Sequence, residues 1–270
     1  MSTPSIIYLM YHELEIPGRS LCSSEPGYER YVLPEREFRE QIDFLKANGY
    51  RGLSVGRAVA FPEGPNPSTN ACTDICITFD DGSETDLLAA APILHQAGFG
   101  ATFYITAGWL GKPGHLSALQ LKELSAQGYE IGCHSMTHPM LTDLDEAGLQ
   151  REIADAKSQL EQIVGTPVEH FSCPGGRYDH RVMTIARAAG YRTVATSRIH
   201  TNSPGMDLFS LGRVAILRGT PIKDFAAICS GDGLRRLRAQ GTLRDAAKQL
   251  LGNSFYDRVR DLLLGGRRAL

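Results

Sequence analysis

Two carboxylates stand side by side in DICITFDDGSETD, residues 74–86, where the apolar Ile75, Ile77 and Phe79 lead into Asp80 and Asp81, and Gly82 follows. Adjacent like charges in one pocket are costly unless a proton or a cation offsets them. Gly82 permits a sharp exit from the strand, which could turn both side chains toward one cavity despite strand alternation. A divalent ion would give the pair separate work. Asp81 would ligate it, and Asp80 would stay free to take a proton from a water whose pKa the ion lowers from about 16 to about 7. Taken alone, Asp-Asp-Gly is more often a helix cap or a solvated turn.

A second cluster makes the sharper reading worth pursuing. EIGCHSMTHPM sets His134 and His138 four residues apart, directly after another apolar run. One helical turn, or a loop imitating one, puts both imidazoles on the same side, and Pro139 argues against a longer helix. Two imidazoles and a carboxylate at strand ends fit a metal site with open water positions. The third piece is FSCPGGRYD, Phe171 to Asp179, where Gly175 and Gly176 leave backbone N–H groups accessible to an oxyanion. The same stretch also fits a tight loop with Asp179 capping the next helix. His12, after the first apolar run, either reaches the same cavity or bonds within the rim.

The elements that must position these groups alternate. Ser5 to Tyr11, Asp74 to Phe79, Ala101 to Thr106, Tyr129 to Cys133, Val168 to Cys173, Arg192 to Ala195 and Leu211 to Ile216 read as strands. Between them, Glu35 to Ala47, Glu84 to Gln96, Ser117 to Gln127, Glu146 to Val164 and Arg181 to Ala189 read as helices. Repeated βα units with short apolar strands predict a parallel α/β barrel, with an open doubly wound sheet as the alternative. Phe61 to Asn70 is rich in turn residues and reads as a surface loop.

A chain of 270 residues with net charge −2 has no global field that would favour nucleic acid. Its six cysteines, Cys22, Cys72, Cys76, Cys133, Cys173 and Cys229, form no C-x-x-C pair. A reducing compartment is the simpler reading. The N-terminal MSTPSIIYLMYHEL lacks a basic start and has too short an apolar stretch for a signal peptide or membrane span, so the expected location is the cytoplasm. From residue 231 the composition turns basic, with Arg235, Arg236, Arg238, Arg244 and Lys248 among its cations. Residues 231–270 therefore read as a helical extension on a 1–230 barrel domain. It is either a solvated hairpin or a dock for an anionic membrane surface or lipid-linked substrate.

At its three motifs the sequence resembles the NodB-like polysaccharide deacetylases, carbohydrate esterase family 4. Thr78-Phe79-Asp80-Asp81-Gly82 looks like the first motif, His134-Ser135-Met136-Thr137-His138 the second, and Phe171 to Gly176 a divergent third. The resemblance covers about residues 5 to 217. It implies a distorted (β/α) barrel and metal-dependent removal of N-acetyl groups from a saccharide. It also implies Asp80 as general base, and Asp81, His134 and His138 as ligands of Zn²⁺ or of Co²⁺, Ni²⁺, Fe²⁺ or Mn²⁺. The backbone N–H of Gly175 would serve the oxyanion. Leu9-Met10-Tyr11-His12 looks like the opening of the branch acting on poly-N-acetylglucosamine and related exopolysaccharides.

Two departures stand out. Many members carry an arginine where this chain has Ser172, so Asp80 needs another partner to orient it. Many also supply a late general-acid histidine, yet none follows His200, which leaves His200 and His12 as the candidates beside a metal-bound water or protonated Asp80. Two other readings use the same residues. One is hydrolysis of a different C–N bond, such as a formamide or cyclic ureide; the other is glycan binding without catalysis.

Overall fold

A computed structural model of the chain describes residues 5–25, 27–60 and 74–238. The first strand, β1 (Ile7–Tyr11), is buried along its whole length, as expected of a parallel strand covered on both faces. A short ladder of β2 (Leu14–Glu15) and β3 (Leu33–Pro34) leads into α1 (Glu35–Ala47). Phe38, Ile42 and Leu45, at helical spacing, bury the inner face of α1. After β4 (Arg51–Leu53) and the short α2 (Val55–Val59), the central strand β5 (Asp74–Phe79) enters the core.

The chain then repeats one pattern. A π-helical turn (Asp86–Ala90) runs into α3 (Ala91–Ala97), and β6 (Thr102–Ile105) follows. The helix α4 (Ala118–Ala126) opens with a capping box between Ser117 and Gln120 and precedes β7 (Glu130–Cys133). Next, α5 (Glu146–Gln150) and α6 (Ala156–Val164) are joined by a second π-helical turn (Arg151–Asp155). The series ends with β8 (His170–Ser172), α7 (His180–Ala188), β9 (Thr193–Ala195), β10 (Val214–Ala215) and α8 (Ile222–Cys229).

The main sheet is parallel throughout, in the order β10-β1-β5-β6-β7-β8-β9, with β4 also on β5. A parallel bridge between Ala195 and Leu211 brings its two ends together. The result is the curled, distorted (β/α) barrel that the alternation predicts. Apart from β5, its predicted strands are shorter than the sequence ranges, because apolar character extends into buried loops that leave the ladder. The short β4, α2 and α8 were not foreseen: RGL is too brief, and glycine too poor a strand former, to register as a strand. The Phe61 to Asn70 loop lies outside the described residues. So does the extension beyond Arg238, so the expected hairpin is described only in its first residues.

Parallel strands put all their C-terminal ends at one face. At the opposite face Glu130, His170, Thr102 and Thr193 meet at strand starts. Glu130 accepts from the Thr102 hydroxyl, from Ser54 Oγ at 3.2 Å and from the Gly56 N–H at 3.0 Å. His170 Nε2 lies 3.4 Å from the same carboxylate, and its Nδ1 lies 2.9 Å from Thr193 Oγ1. A Cβ at Gly56 would stand 2.3 Å from Glu130 Oε2, so only glycine lets the backbone N–H approach. Among the described residues no helix is long and apolar enough to cross a membrane.

Candidate active site

At the C-terminal end of β5 the two aspartates part ways. Asp80 continues the ladder, its N–H donating to the Tyr11 carbonyl at 3.0 Å. Asp81 follows at φ 82 and Gly82 at φ 83, so the chain swings out at once and both carboxylates approach His134 Nε2, Asp80 at 3.8 Å and Asp81 at 3.6 Å. Among the described residues, three non-glycine positions have positive φ: Asp81, Ser135 and His138. All three lie in this site, and each costs roughly 1–3 kcal/mol that the surrounding structure must offset.

Asp80 is gripped by Arg213, from the residue before β10. Arg213 Nη1 donates to Asp80 Oδ1 at 2.6 Å and Nη2 to Oδ2 at 2.8 Å, a bidentate pair with both side chains buried. The guanidinium is held in turn by Ser172 Oγ at 2.7 Å, the Thr196 carbonyl at 3.2 Å and Thr78 Oγ1 at 3.3 Å. Burial alone would raise the Asp80 carboxyl. Arg213, with His134 and His12 behind it, instead holds it well below the usual carboxylate range.

Asp81 has the opposite fate. Its Oδ1 is buried and accepts no hydrogen bond, and it lies 3.6 Å from both His134 Nε2 and His138 Nε2. Burial, with Asp80 and Glu13 adding to it, lifts this carboxyl to about 6 against the pull of His12 and Arg213. His134 leaves β7, and its Nδ1 lies 2.9 Å from the Ser172 carbonyl. A carbonyl only accepts, so Nδ1 carries the proton and Nε2 turns a lone pair toward Asp81. Burial first, then His138 and Arg213, press His134 down to about 3 although Asp80 opposes them, so its ring is neutral at physiological pH.

No helical turn follows β7. Ser135 and His138 take left-handed backbone instead, closed by Ser135 Oγ accepting from the His138 N–H at 2.9 Å. Glu152, in the second π-helical turn, reaches up to accept from the Met136 and Thr137 N–H groups at 2.9 and 2.8 Å. π-Helical turns are frequent at functional sites. Here one aims the carboxylate that shapes the His-x-x-x-His loop. The Trp109 ring stands 5.2 Å from His138, which is 30% exposed and marks the open side.

A metal ion fits these residues. One oxygen of Asp81 and one nitrogen each of His134 and His138 lie within 4.8 Å of one another. An anionic oxygen without a partner faces two neutral imidazole nitrogens, a donor set suited to zinc and its neighbours.

The polysaccharide deacetylase family model matches residues 68–194, a span that contains Asp80, Asp81, His134, His138 and Gly175. Over that span the chain is similar to the NodB-like polysaccharide deacetylases. It is 28% identical to YxkH of Bacillus subtilis over 219 residues, 81% of this chain and 74% of that protein. To the peptidoglycan-N-acetylglucosamine deacetylase of Bacillus cereus it is 33% identical over 124 residues, 46% of this chain and 56% of that one. The deacetylase PplD of Streptococcus pyogenes, solved with acetate, has the same fold: TM-score 0.73 at 24% identity, covering 84% of this chain and 99% of that one.

Within this NodB-like frame the other predicted residues separate. His12, after β1, acts on both Asp80 and Asp81. Its Nδ1 is buried without a partner, and its ring rests on Tyr31 at 4.8 Å. Gly175 lies at φ 60 in the loop after β8, with Met140 beside it. The structure does not bring His200 to this group. Its ring covers Gly212, and two residues later Asn202 pairs with Ile6 at the start of β1, the far end of the barrel from Asp80. Asp179 caps α7, accepting from the Arg181 and Val182 N–H groups.

Sequence reasoning missed Arg213. The signal was present in LGRVAIL, residues 211–217, where one arginine interrupts an apolar strand. Such an arginine is almost never buried unless paired.

Proposed function

We propose that this chain hydrolyses the N-acetyl group of an N-acetylated saccharide, releasing acetate and leaving a free amine. The observation that carries the reading is the split between the two aspartates, one locked by Arg213 and one with an unpartnered oxygen facing two imidazoles. Asp81, His134 and His138 would hold a divalent cation. When bound, such an ion polarises the acetyl carbonyl and acidifies a water, which a weakly basic Asp80 requires.

The chain's own residues do the rest. Arg213 fixes the Asp80 carboxylate so that a free lone pair points into the cavity, and Asp80 accepts the proton of the attacking water. The Gly175 N–H donates to the carbonyl oxygen as it becomes an oxyanion. His12 donates a proton to the departing nitrogen as the C–N bond breaks. Strands β1 and β10 are neighbours, with Leu9 opposite Val214 and Met10 opposite Ala215. A histidine after β1 therefore stands next to where a late one after β10 would be.

The test is acetate release from N-acetylated oligosaccharides by zinc-loaded protein, beside a chelated sample and Asp80→Asn. Release that needs both the metal and Asp80 supports the reading; release indifferent to Asp80 sinks the mechanism. The cytoplasmic location and membrane contact through the basic extension are further proposals, carried by the sequence alone. Co-sedimentation of the whole chain with anionic liposomes tests the second.

A further inference from the structure

Most arginines of the described chain are claimed by carboxylates, such as Arg51 by Asp74, Arg181 by Asp179, Arg187 by Asp207 and Arg218 by Glu15. Among the described residues on the site face, Arg30, Arg177 and Arg198 are not, and two of these three lie over aromatic rings. Arg30 lies over the ring of Tyr31 at 5.0 Å, and Tyr31 is the residue on which His12 rests. Arg198 lies over the ring of Tyr178 at 5.0 Å, in the loops after β8 and β9.

The backbones of both arginines are fixed. The Arg198 carbonyl accepts from the N–H of Arg213, the residue that grips Asp80, and its own N–H donates to Thr196 Oγ1. The Arg30 carbonyl accepts from the Arg218 N–H. Two guanidinium groups are thus mounted on aromatic rings with no ion pair to a carboxylate among the described residues. The arrangement keeps a planar fork of donors available to an incoming carboxylate or phosphate.

Their placement around the barrel gives them a direction. The proposed ligands stand on β5 and β7, whereas the two arginine–tyrosine pairs stand after β1 and after β8 and β9, on either side of β10. Glu25, at the start of the turn that carries Arg30, is a carboxylate whose charge acts on His138. A saccharide that places its acetyl group against Asp81, His134 and His138 would extend past Asp80 and His12 toward the two cations.

We infer that this site selects an N-acetylated saccharide that also bears an anionic group, a carboxylate or a phosphate, held by Arg198 and Arg30. The inference rests on the deacetylation reading and narrows its substrate class. A neutral sugar would leave both guanidinium groups without a charged partner.

The test compares three matched N-acetylated oligosaccharides with zinc-loaded protein: one neutral, one with a carboxylate on the sugar next to the acetylated one, and one with a phosphate there. Expected is a kcat/KM about tenfold higher for an anionic substrate, as one charge-assisted hydrogen bond pair supplies. That advantage shrinks when salt rises to about 0.5 M. Which anion gains identifies the source of the charge. The ratio of anionic to neutral turnover should fall toward unity in Arg30→Gln/Arg198→Gln and survive in large part in Arg30→Lys/Arg198→Lys.

Equal turnover of all three substrates, or a ratio that the glutamine variant leaves unmoved, overturns the inference while deacetylation stands. Absence of acetate from all three counts against deacetylation, and calorimetric titration of the same oligosaccharides then decides the inference separately. Tighter binding of an anionic oligosaccharide that the glutamine variant abolishes supports it. Equal binding, or none, overturns it.

Discussion

The two ends of the barrel each bury a carboxylate beside a histidine, and they differ in what is left over. At the strand starts Glu130 is bonded to Thr102, Ser54 and Gly56 with His170 alongside, so both of its oxygens have partners. At the strand ends Asp80 is equally closed by Arg213, but Asp81 next to it keeps a buried oxygen with none. A fully satisfied buried network holds a fold together, whereas an unsatisfied buried anion calls for an explanation outside the chain. The comparison separates residues that stabilise the barrel from those the barrel holds ready.

The sharpest way to break this contrast is Asp80→Asn. It should lower kcat/KM by about 10²- to 10⁴-fold, the usual worth of a general base, while zinc still binds with one ion per chain. Assayed together, acetate release and metal content check both halves. Next comes Arg213→Met, which strands a buried carboxylate. Breaking such a pair costs about 3–5 kcal/mol, read as a fall in the denaturation midpoint, and activity should fall with it.

The open end should also respond to pH. A proton on Asp81 competes with the cation, so zinc affinity should drop by up to about tenfold per pH unit below about 6 and level off above it. In the metal-free protein the sign reverses. The folded carboxyl binds its proton up to about 6 and the unfolded one only to about 3.8, so stability present below about 4 is lost as pH rises to 6. Calorimetric melts of the apo form across this range, which should show no such loss in Asp81→Asn, check it.

At the closed end, Glu130→Ala leaves the Gly56 N–H and the hydroxyls without their acceptor. It should cost about 2–3 kcal/mol of stability, with kcat/KM per folded molecule unchanged. If Glu130→Ala instead abolished turnover in folded protein, the division between the two ends would fail. The smallest effect belongs to Asp179, whose role as the cap of α7 predicts a loss of about 1 kcal/mol for Asp179→Ala in the same melts.

Much of this was legible in the chain. Helix α1 runs over the predicted residues because its apolar spacing and its Asn48-Gly49 stop are local signals. The strand β5 likewise matches the apolar run that ends at Asp80. Less legible were the π-helical turns at 86–90 and 151–155, since an inserted residue barely disturbs a helical pattern of apolar positions. The His134–His138 spacing suggested a helical turn or a loop imitating one, and the structure has the loop. Two left-handed residues achieve the same convergence, and only the Glu152 side chain, reaching from a distant helix, shows what holds them there.

Sequence by itself determined the alternation of strands and helices, the family motifs, and the residue types available at each strand end, because periodicity, caps and turn residues act over a few positions. The tertiary structure decided which of those residues meet. Arg213 reaches Asp80 across 133 positions, taking the place left by Ser172. The charge of His12 acts on the two aspartates, whereas His200 packs over Gly212 toward the opposite end. Both outcomes follow from how the barrel curls, bringing β10 beside β1 and the bridge at Leu211 against β9. No local pattern encodes that closure, since it arises from burying the apolar faces of all the strands at once.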